Sequence, residues 1–139
     1  MPIRPMLAVL ALCLALPALA TEPDIRPGQW EYTNITRFEN MPVPDQTHTQ
    51  TECITRQDIE RGGAFLDDVE ECEVSDMDMR ASGMTYSMIC REQGVEIHMD
   101  ADIRFMGDRA EGTMDAHMDS PMGPMRMLIE LKGRRIGDC

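Results

Sequence analysis

The sequence lacks the short motifs that mark most catalytic sites. It contains no H-E-x-x-H zinc pattern, no P-loop, no glycine-rich dinucleotide loop and no G-x-S-x-G nucleophile elbow. Its acidic residues are so numerous that no single pair indicates a catalytic dyad. We therefore expect no enzymatic activity and no cofactor, with an enzyme of unrecognised motif as the open alternative.

Positive charge and long apolar runs are also scarce. The chain carries 13 lysines and arginines against 25 aspartates and glutamates, which gives a net charge of -12. Nucleic acids and anionic membrane surfaces would repel such a chain, so we exclude both as partners. The longest apolar run, from Met6 to Leu16, is shorter than the roughly 20 residues that a membrane-spanning helix needs. No membrane span is predicted.

The first twenty residues are typical of a secretory signal peptide. A positively charged start precedes the apolar run, and Ala18-Leu19-Ala20 has the small-x-small form of a cleavage site. We predict a signal peptide over residues 1–20, cleavage before Thr21, and a periplasmic or secreted location. A lipid anchor on Cys13 is a weaker alternative, because Leu12 stands where a lipoprotein signal has a small residue.

Four cysteines remain after the signal peptide: Cys53, Cys72, Cys90 and Cys139. An even number in an exported domain predicts a disulfide framework. Three pairings are possible, and the preferred one is Cys53–Cys72 with Cys90–Cys139. These bridges would close loops of about 20 and about 50 residues and stabilise the fold by about 3 and about 4 kcal/mol. A zinc or redox site is not favoured, because no C-x-x-C occurs.

Apolar and polar residues alternate through most of the second half of the chain. The alternation is unbroken from Val95 to Phe105, which predicts a half-buried strand. The same period recurs in four further segments: 73–81, 84–91, 109–118 and 125–132. Strands with one solvent-exposed face indicate antiparallel pairing, since parallel strands are usually covered on both faces.

The first half is more polar but fits the same class. A strand begins at Gly28, and alternating threonines from Thr47 to Thr51 predict another. Thr55 and Asp58 form a capping-box pattern that predicts a short helix over residues 56–61. We predict a single all-β domain over residues 21–139. Its fold is a strongly curved antiparallel meander sheet or small barrel of about seven strands with one short helix, and a two-layer β-sandwich is the alternative.

Methionine is unusually abundant, since twelve of the fourteen methionines follow residue 20. Thioethers bind Cu(I), so Met122, Met125 and Met127 are candidate ligands for copper or silver. Most methionines, however, occupy the apolar side of a predicted strand, where methionine acts as a core filler. His98 and His117 fall on the polar side, away from the methionines beside them. We favour core packing, with a soft-metal site and a methionine-lined pocket for an apolar ligand as alternatives.

Four short segments occur along the chain in an order that can be compared with known families. They are Pro27-Gly28-Gln29-Trp30-Glu31, Glu52-Cys53-Ile54-Thr55, Gly83-Met84 through Cys90, and Gly133-Arg134-Arg135-Ile136-Gly137-Asp138-Cys139. These segments resemble the secreted bacterial proteins of the domain-of-unknown-function 3617 family, over residues 27–139. The resemblance implies an exported single domain and brings no activity, because that family is uncharacterised. Thr55-Arg56-Gln57 departs from the threonine-proline-glutamate helix start that is frequent in the family.

These features together predict an exported, disulfide-linked β-domain that acts by binding and not by catalysis. The expected partner is a protein of the cell envelope or an apolar small molecule, and we expect the protein to be a monomer. Copper or silver binding through the methionine-rich segments is one alternative function. An unrecognised enzyme is the other.

Overall fold

Antiparallel strands make up most of the computed structural model, which describes residues 22–61 and 71–139. The predicted signal peptide, its cleavage before Thr21 and the alternative anchor at Cys13 lie outside the described residues. The elements in chain order are β1 (Gly28–Glu39), β2 (Gln46–Ile54), α1 (Arg56–Glu60), β3 (Cys72–Arg80), β4 (Gly83–Glu92), β5 (Val95–Phe105), β6 (Arg109–Ser120) and β7 (Gly123–Gly137). No helix in these two ranges is long and apolar enough to cross a membrane.

All seven strands form one sheet in the order β2-β1-β7-β6-β5-β4-β3. Every neighbouring pair is antiparallel. The last five strands form a meander, and the β1–β2 hairpin joins it because β1 pairs with β7. The predicted antiparallel meander of about seven strands with one short helix is confirmed. The sheet ends at β2 on one side and at β3 on the other, so it is neither a closed barrel nor a two-layer sandwich.

Strand β7 extends beyond the predicted segment 125–132 and includes the Gly-Arg-Arg run near the end of the chain. It lies between β1 and β6, and its end pairs with the start of β1, where Gln29 faces Gly137. The alternation of apolar and polar residues in β7 is interrupted at Gly133, where an apolar side chain is expected, so the sequence does not show that the strand continues. A Cβ atom on Gly133 would lie 2.8 Å from the ring of Tyr32, so the position leaves no room for a side chain.

The alternation places apolar side chains on one face of the sheet, which we call the apolar face, and charged side chains on the other, the polar face. The buried core occupies the end of the apolar face where β1 begins and β7 ends. Trp30 is fully buried there and its ring stacks on that of Tyr32, with centroids 6.1 Å apart. The Nε1 atom of Trp30 donates to the carbonyl oxygen of Arg26 at 2.9 Å, which satisfies the one polar atom of the indole.

The short helix α1 begins with the predicted capping box. The backbone N–H of Asp58 donates to Thr55 Oγ1 at 3.2 Å, and the backbone N–H of Thr55 donates to Asp58 Oδ2 at 2.8 Å. Hydrogen bonds from Thr55 lower the pKa of the Asp58 carboxyl. The cap turns the chain so that Ile59 is buried against the core cluster.

All four cysteines of the described residues form disulfides, but the preferred pairing is wrong. The observed bonds are Cys53–Cys139 and Cys72–Cys90. Cys53 lies on β2 and Cys72 on β3, which are opposite edges of the sheet. Two strands, β5 and β6, separate Cys90 of β4 from β7. The strand order therefore separates the two cysteines of each predicted pair, Cys53–Cys72 and Cys90–Cys139.

Strand register explains the Cys72–Cys90 bond. The two residues face each other directly on β3 and β4, with Cα atoms 4.0 Å apart. In the next pair, the backbone N–H of Arg91 donates to the oxygen of Glu71 at 3.3 Å. Hydrogen-bonded and non-hydrogen-bonded pairs alternate in antiparallel ladders, so the cysteines occupy a non-hydrogen-bonded pair, where side chains are closest.

The Cys53–Cys139 bond crosses the beginning of β1. Gln29 of β1 faces Cys53 of β2 on one side and Gly137 of β7 on the other. The two residues after Gly137 therefore need only pass the end of one strand to reach β2. The Cα atoms of the two cysteines are 5.7 Å apart, within the usual range for a disulfide.

Candidate functional site

The apolar face extends beyond the buried core, towards the end of the sheet where β6 turns into β7. Strand register places eight partly exposed apolar side chains together on this part of the face. They are Phe38, Ile97, Met99, Met114, Met118, Met125, Met127 and Ile129. We call this group the methionine surface.

Ala116 lies at the centre of the methionine surface and is fully buried. It faces Met99 on β5 and Met127 on β7, while Met114 and Met118 flank it on its own strand. The four long side chains cover the alanine but are themselves partly exposed. Methionine has three rotatable bonds and a polarisable sulfur, so this layer can adapt its shape to a bound apolar molecule.

Side chains from outside the sheet are buried at the other end of the apolar face. Among the described residues, Ile25 before β1 and Ile59 of α1 are the two buried apolar side chains that do not belong to a strand. Both belong to the same core cluster as Trp30. Met99 and Met114 pack against that cluster and mark the border between the core and the methionine surface.

Asn34 of β1 places a polar atom on the apolar face, close to the methionine surface. It faces Leu131 of β7, two pairs along from Thr36 and Ile129, which is the next pair on the same face. Its Oδ1 atom is buried and accepts no hydrogen bond from any part of the chain that the structure describes. A buried acceptor without a donor costs about 1–3 kcal/mol. The atom is covered by the side chains around it, so a ligand would use this acceptor only by displacing them.

Two of the three candidate copper ligands, Met125 and Met127, belong to the methionine surface. The third, Met122, lies in the turn between β6 and β7 and is 92% exposed. Ser120 Oγ donates to the carbonyl oxygen of Gly123 at 2.8 Å and accepts from the backbone N–H of Met122 at 3.2 Å. These bonds hold the turn, and the exposure of Met122 places its side chain in solvent. Soft-metal binding by this segment stays a prediction.

The two histidines singled out in the sequence lie on the polar face, as predicted. His98 and His117 face each other on β5 and β6, with ring centroids 6.4 Å apart. His98 Nε2 lies 2.7 Å from Glu96 Oε1, and this hydrogen bond lowers the pKa of Glu96. Met99 and Met118 point to the opposite face. Within residues 22–61 and 71–139, no group of three or more histidine, cysteine, aspartate or glutamate side chains could hold a metal ion.

Charged side chains of the polar face are joined in ion pairs. Arg126 donates to Asp115 at 2.5 Å and to Glu39 at 3.2 Å. The hydrogen bond from Arg126 lowers the pKa of Asp115, and that from Lys132 lowers the pKa of Glu130. Exposed pairs of this kind are worth about 0–1 kcal/mol each. Such pairs need no ligand to explain them, so we place the candidate site on the apolar face.

Residues of three of the four segments meet at one corner of the sheet, away from the methionine surface, whereas the segment from Gly83 to Cys90 lies on β4. Arg135 Nε donates to the carbonyl oxygen of Pro27 at 2.7 Å, and Arg134 binds Glu31 at 2.8 Å. Gly28 has a φ of +148°, and a Cβ atom there would lie 2.5 Å from Arg135 Nε. The Cys53–Cys139 bond closes the same corner. These segments therefore build the fold and do not locate an exposed site.

Asn34 and Phe38 belong to the candidate site but are not predicted as site residues from the sequence. A signal for both is present, because residues 30, 32, 34, 36 and 38 follow a period of two from the buried Trp30. That period indicates which face a side chain occupies. It carries no information on whether another part of the chain covers the side chain, so core and binding surface have the same pattern.

Comparison with known proteins identifies one family. A family model described as "Protein of unknown function (DUF3617)" matches residues 25–139, which is most of the chain. The curated proteins contain no match, and neither do the solved structures. The resemblance noted from the four segments is confirmed.

Proposed function

The chain belongs to this family of unknown function, and from the geometry of its own residues we propose that it is an exported, non-enzymatic binding domain. Its methionine surface binds a neutral apolar small molecule in the cell envelope. The observation that carries the proposal is the set of eight partly exposed apolar side chains on one face. The buried acceptor of Asn34 lies beside them.

The chemistry of the face defines the class of ligand. Apolar area removed from water contributes about 25 cal/mol per Å², so each roughly 100 Å² covered by a ligand favours binding by about 2.5 kcal/mol. A ligand that displaces the side chains over Asn34 Oδ1 would give this buried acceptor a donor from a hydroxyl or amide group. The net charge of -12 disfavours an anionic ligand such as a fatty acid. A monoacylglycerol has the required combination of a neutral hydroxylated head and an apolar chain.

Export is supported by the disulfides and by the sequence. Both pairs of cysteines are bonded, which is typical of proteins in oxidising compartments. The signal-peptide pattern of residues 1–20 agrees with this location. Mass spectrometry of the protein from its native host would give a mature chain that starts at Thr21. A diacylglycerol on Cys13 would contradict the proposal of a soluble exported form.

The ligand proposal can be tested by titration with monooleoylglycerol, followed by calorimetry and native mass spectrometry. We expect saturable binding with one or a few molecules per chain, and much weaker binding of oleate at the same chain length. The double variant Met118→Gln/Met127→Gln should lower the affinity at least 10-fold, because it makes two positions of the methionine surface polar.

Met122→Gln is the matched control, since it makes the same chemical change in the exposed turn. It should leave the affinity unchanged. Absence of saturable binding to the unmodified protein would contradict the proposal. An equal loss of affinity in the control would show that the methionine surface is not the site.

A second candidate function, soft-metal binding, has one specific observation in its favour. Met118 and Met125 face each other directly on β6 and β7, and Met127 lies on the same face. Three thioethers on one face suit Cu(I). Substituting Met118 and Met125 with leucine separates the two functions, because leucine keeps the apolar area but removes sulfur. Loss of Cu(I) binding in competition with a chelator, with lipid binding retained, would favour the metal site.

A further inference from the structure

Strand β2 is a long and regular edge strand. Its nine residues pair with β1 without a register shift, from Gly28 opposite Ile54 to Thr36 opposite Gln46. The other side of β2 has no neighbouring strand in the described sheet. Every side chain from Gln46 to Thr51 is exposed. An edge of this length is a template for pairing with another strand unless it is protected.

The opposite edge, β3, differs from β2 in two protecting features, a bulge and several acidic residues, where β2 has a single acidic residue, Glu52. Its register shifts between Ser75 and Asp78, and Asp76 in this bulge has a φ of 50°. Three of its residues are acidic: Glu73, Asp76 and Asp78. Bulges and charges on an edge prevent strand addition. β3 is therefore a blocked edge, and β2 is an open one.

The charge of the chain limits what can approach β2. The protein is strongly acidic, but the segment from Gln46 to Thr51 contains no aspartate, glutamate, lysine or arginine. The strand contains no proline and no glycine. A second copy of this acidic chain would meet little direct repulsion along this strand, because like charges do not face one another there.

We propose that β2 pairs antiparallel with β2 of a second copy, about a two-fold axis at Gln50, and so joins two seven-stranded sheets into one. This register overlaps the whole strand, because it places Gln46 opposite Ile54 of the second copy. It also places Thr49 opposite Thr51 of the second copy. Thr33 and Thr49 already make such a contact on β1 and β2, with their Oγ1 atoms 3.1 Å apart.

The blocked edge explains why assembly stops at two copies. Pairing of β2 with β2 is isologous, so it uses the same surface of both copies and closes. The remaining edges of the dimer are the two β3 strands, which the bulge and the acidic residues protect. A single strand pair forms a small interface, for which we expect a dissociation constant of about 10–100 µM. The dimer does not depend on the ligand proposed above, and it replaces the monomer that is expected from the sequence.

Sedimentation equilibrium over a concentration series tests this proposal. The unmodified protein should pass from monomer to dimer as its concentration rises. Gln50→Lys places two like charges opposite each other at the two-fold axis and should raise the dissociation constant at least 10-fold. Ser75→Lys, which makes the same charge change on the β3 edge, should leave it unaltered. The circular dichroism spectrum should be the same for all three proteins.

Mixing Gln50→Lys with Gln50→Glu provides the decisive measurement, because the opposite charges then meet at the axis. We expect dimers to reappear in the mixture, which a misfolded variant could not produce. A protein that stays monomeric at all concentrations would overturn the proposal. So would a dimer that survives Gln50→Lys, that is lost equally in Ser75→Lys, or that the mixture fails to restore.

Discussion

Replacing both Cys53 and Cys139 with serine should destabilise the fold more than replacing both Cys72 and Cys90. The first bond spans 86 residues and the second 18. In the chain-entropy model, a disulfide stabilises the fold by restricting the unfolded chain, and the effect grows with the logarithm of the loop length. The model gives about 4.6 kcal/mol for the first bond and about 3.2 kcal/mol for the second.

The strand arrangement also indicates that loss of the Cys53–Cys139 bond destabilises the fold more than loss of the Cys72–Cys90 bond. Cys72 and Cys90 join neighbouring strands that are already paired through a hydrogen-bonded ladder. The Cys53–Cys139 bond links β2 to the chain beyond β7, although β1 lies between those two strands. Its loss would release the end of the chain from the edge of the sheet.

Urea unfolding of the two double variants, followed by circular dichroism under oxidising conditions, measures the difference. We expect the midpoint to fall for both variants, and further for the variant that lacks Cys53 and Cys139. Peptide mapping of the unmodified protein without reduction gives the pairing directly. A larger loss of stability in the variant that lacks Cys72 and Cys90 would refute the reasoning. Fragments that join Cys53 to Cys72 would also refute it.

Three further predictions concern single residues. Asn34→Leu should raise the unfolding midpoint of the ligand-free protein, since it removes a buried acceptor without a partner, and should weaken monooleoylglycerol binding in the same titration. Gly133→Ala should cost about 1–3 kcal/mol in urea unfolding, because its methyl group would overlap the Tyr32 ring. The lowered pKa of Asp115 beside Arg126 stabilises the fold above the ordinary value of 3.8, and this contribution is lost as the pH falls through the lowered value. Asp115→Asn should therefore destabilise the protein at pH near 6, and its effect should shrink as the pH falls through the lowered pKa. An effect in urea unfolding that does not change with pH would contradict the assignment.

Local structure could be predicted from local pattern. The predicted strand from Val95 to Phe105 has the same bounds as β5. Eleven residues of unbroken alternation are compatible with a strand and with no other element. The helix was predicted from Thr55 and Asp58, whose side chains do make the capping box. In both cases the interactions that define the element lie within the segment itself.

Strand order was less accessible, because it depends on contacts between distant segments. The pairing of β1 with β7 brings Gln29 next to Gly137. The sequence of neither segment contains a pattern that identifies the other as its pairing partner. The disulfide pairing was wrong for this reason. The methionine surface was predicted as core, with an apolar pocket as an alternative, because a period of two is the same for a covered and an uncovered face.

The position of β7 has a consequence for how the molecule assembles. Six strands precede β7 in the chain, yet it lies between β1 and β6 and provides the link between the hairpin and the meander. Without β7, no strand pair would connect the β1–β2 hairpin with the β3–β6 meander. Pairing between segments as distant as β1 and β7 forms slowly. In a chain in which β7 has not yet paired, the edges of β1 and β6 that it covers would be open to pairing with other chains.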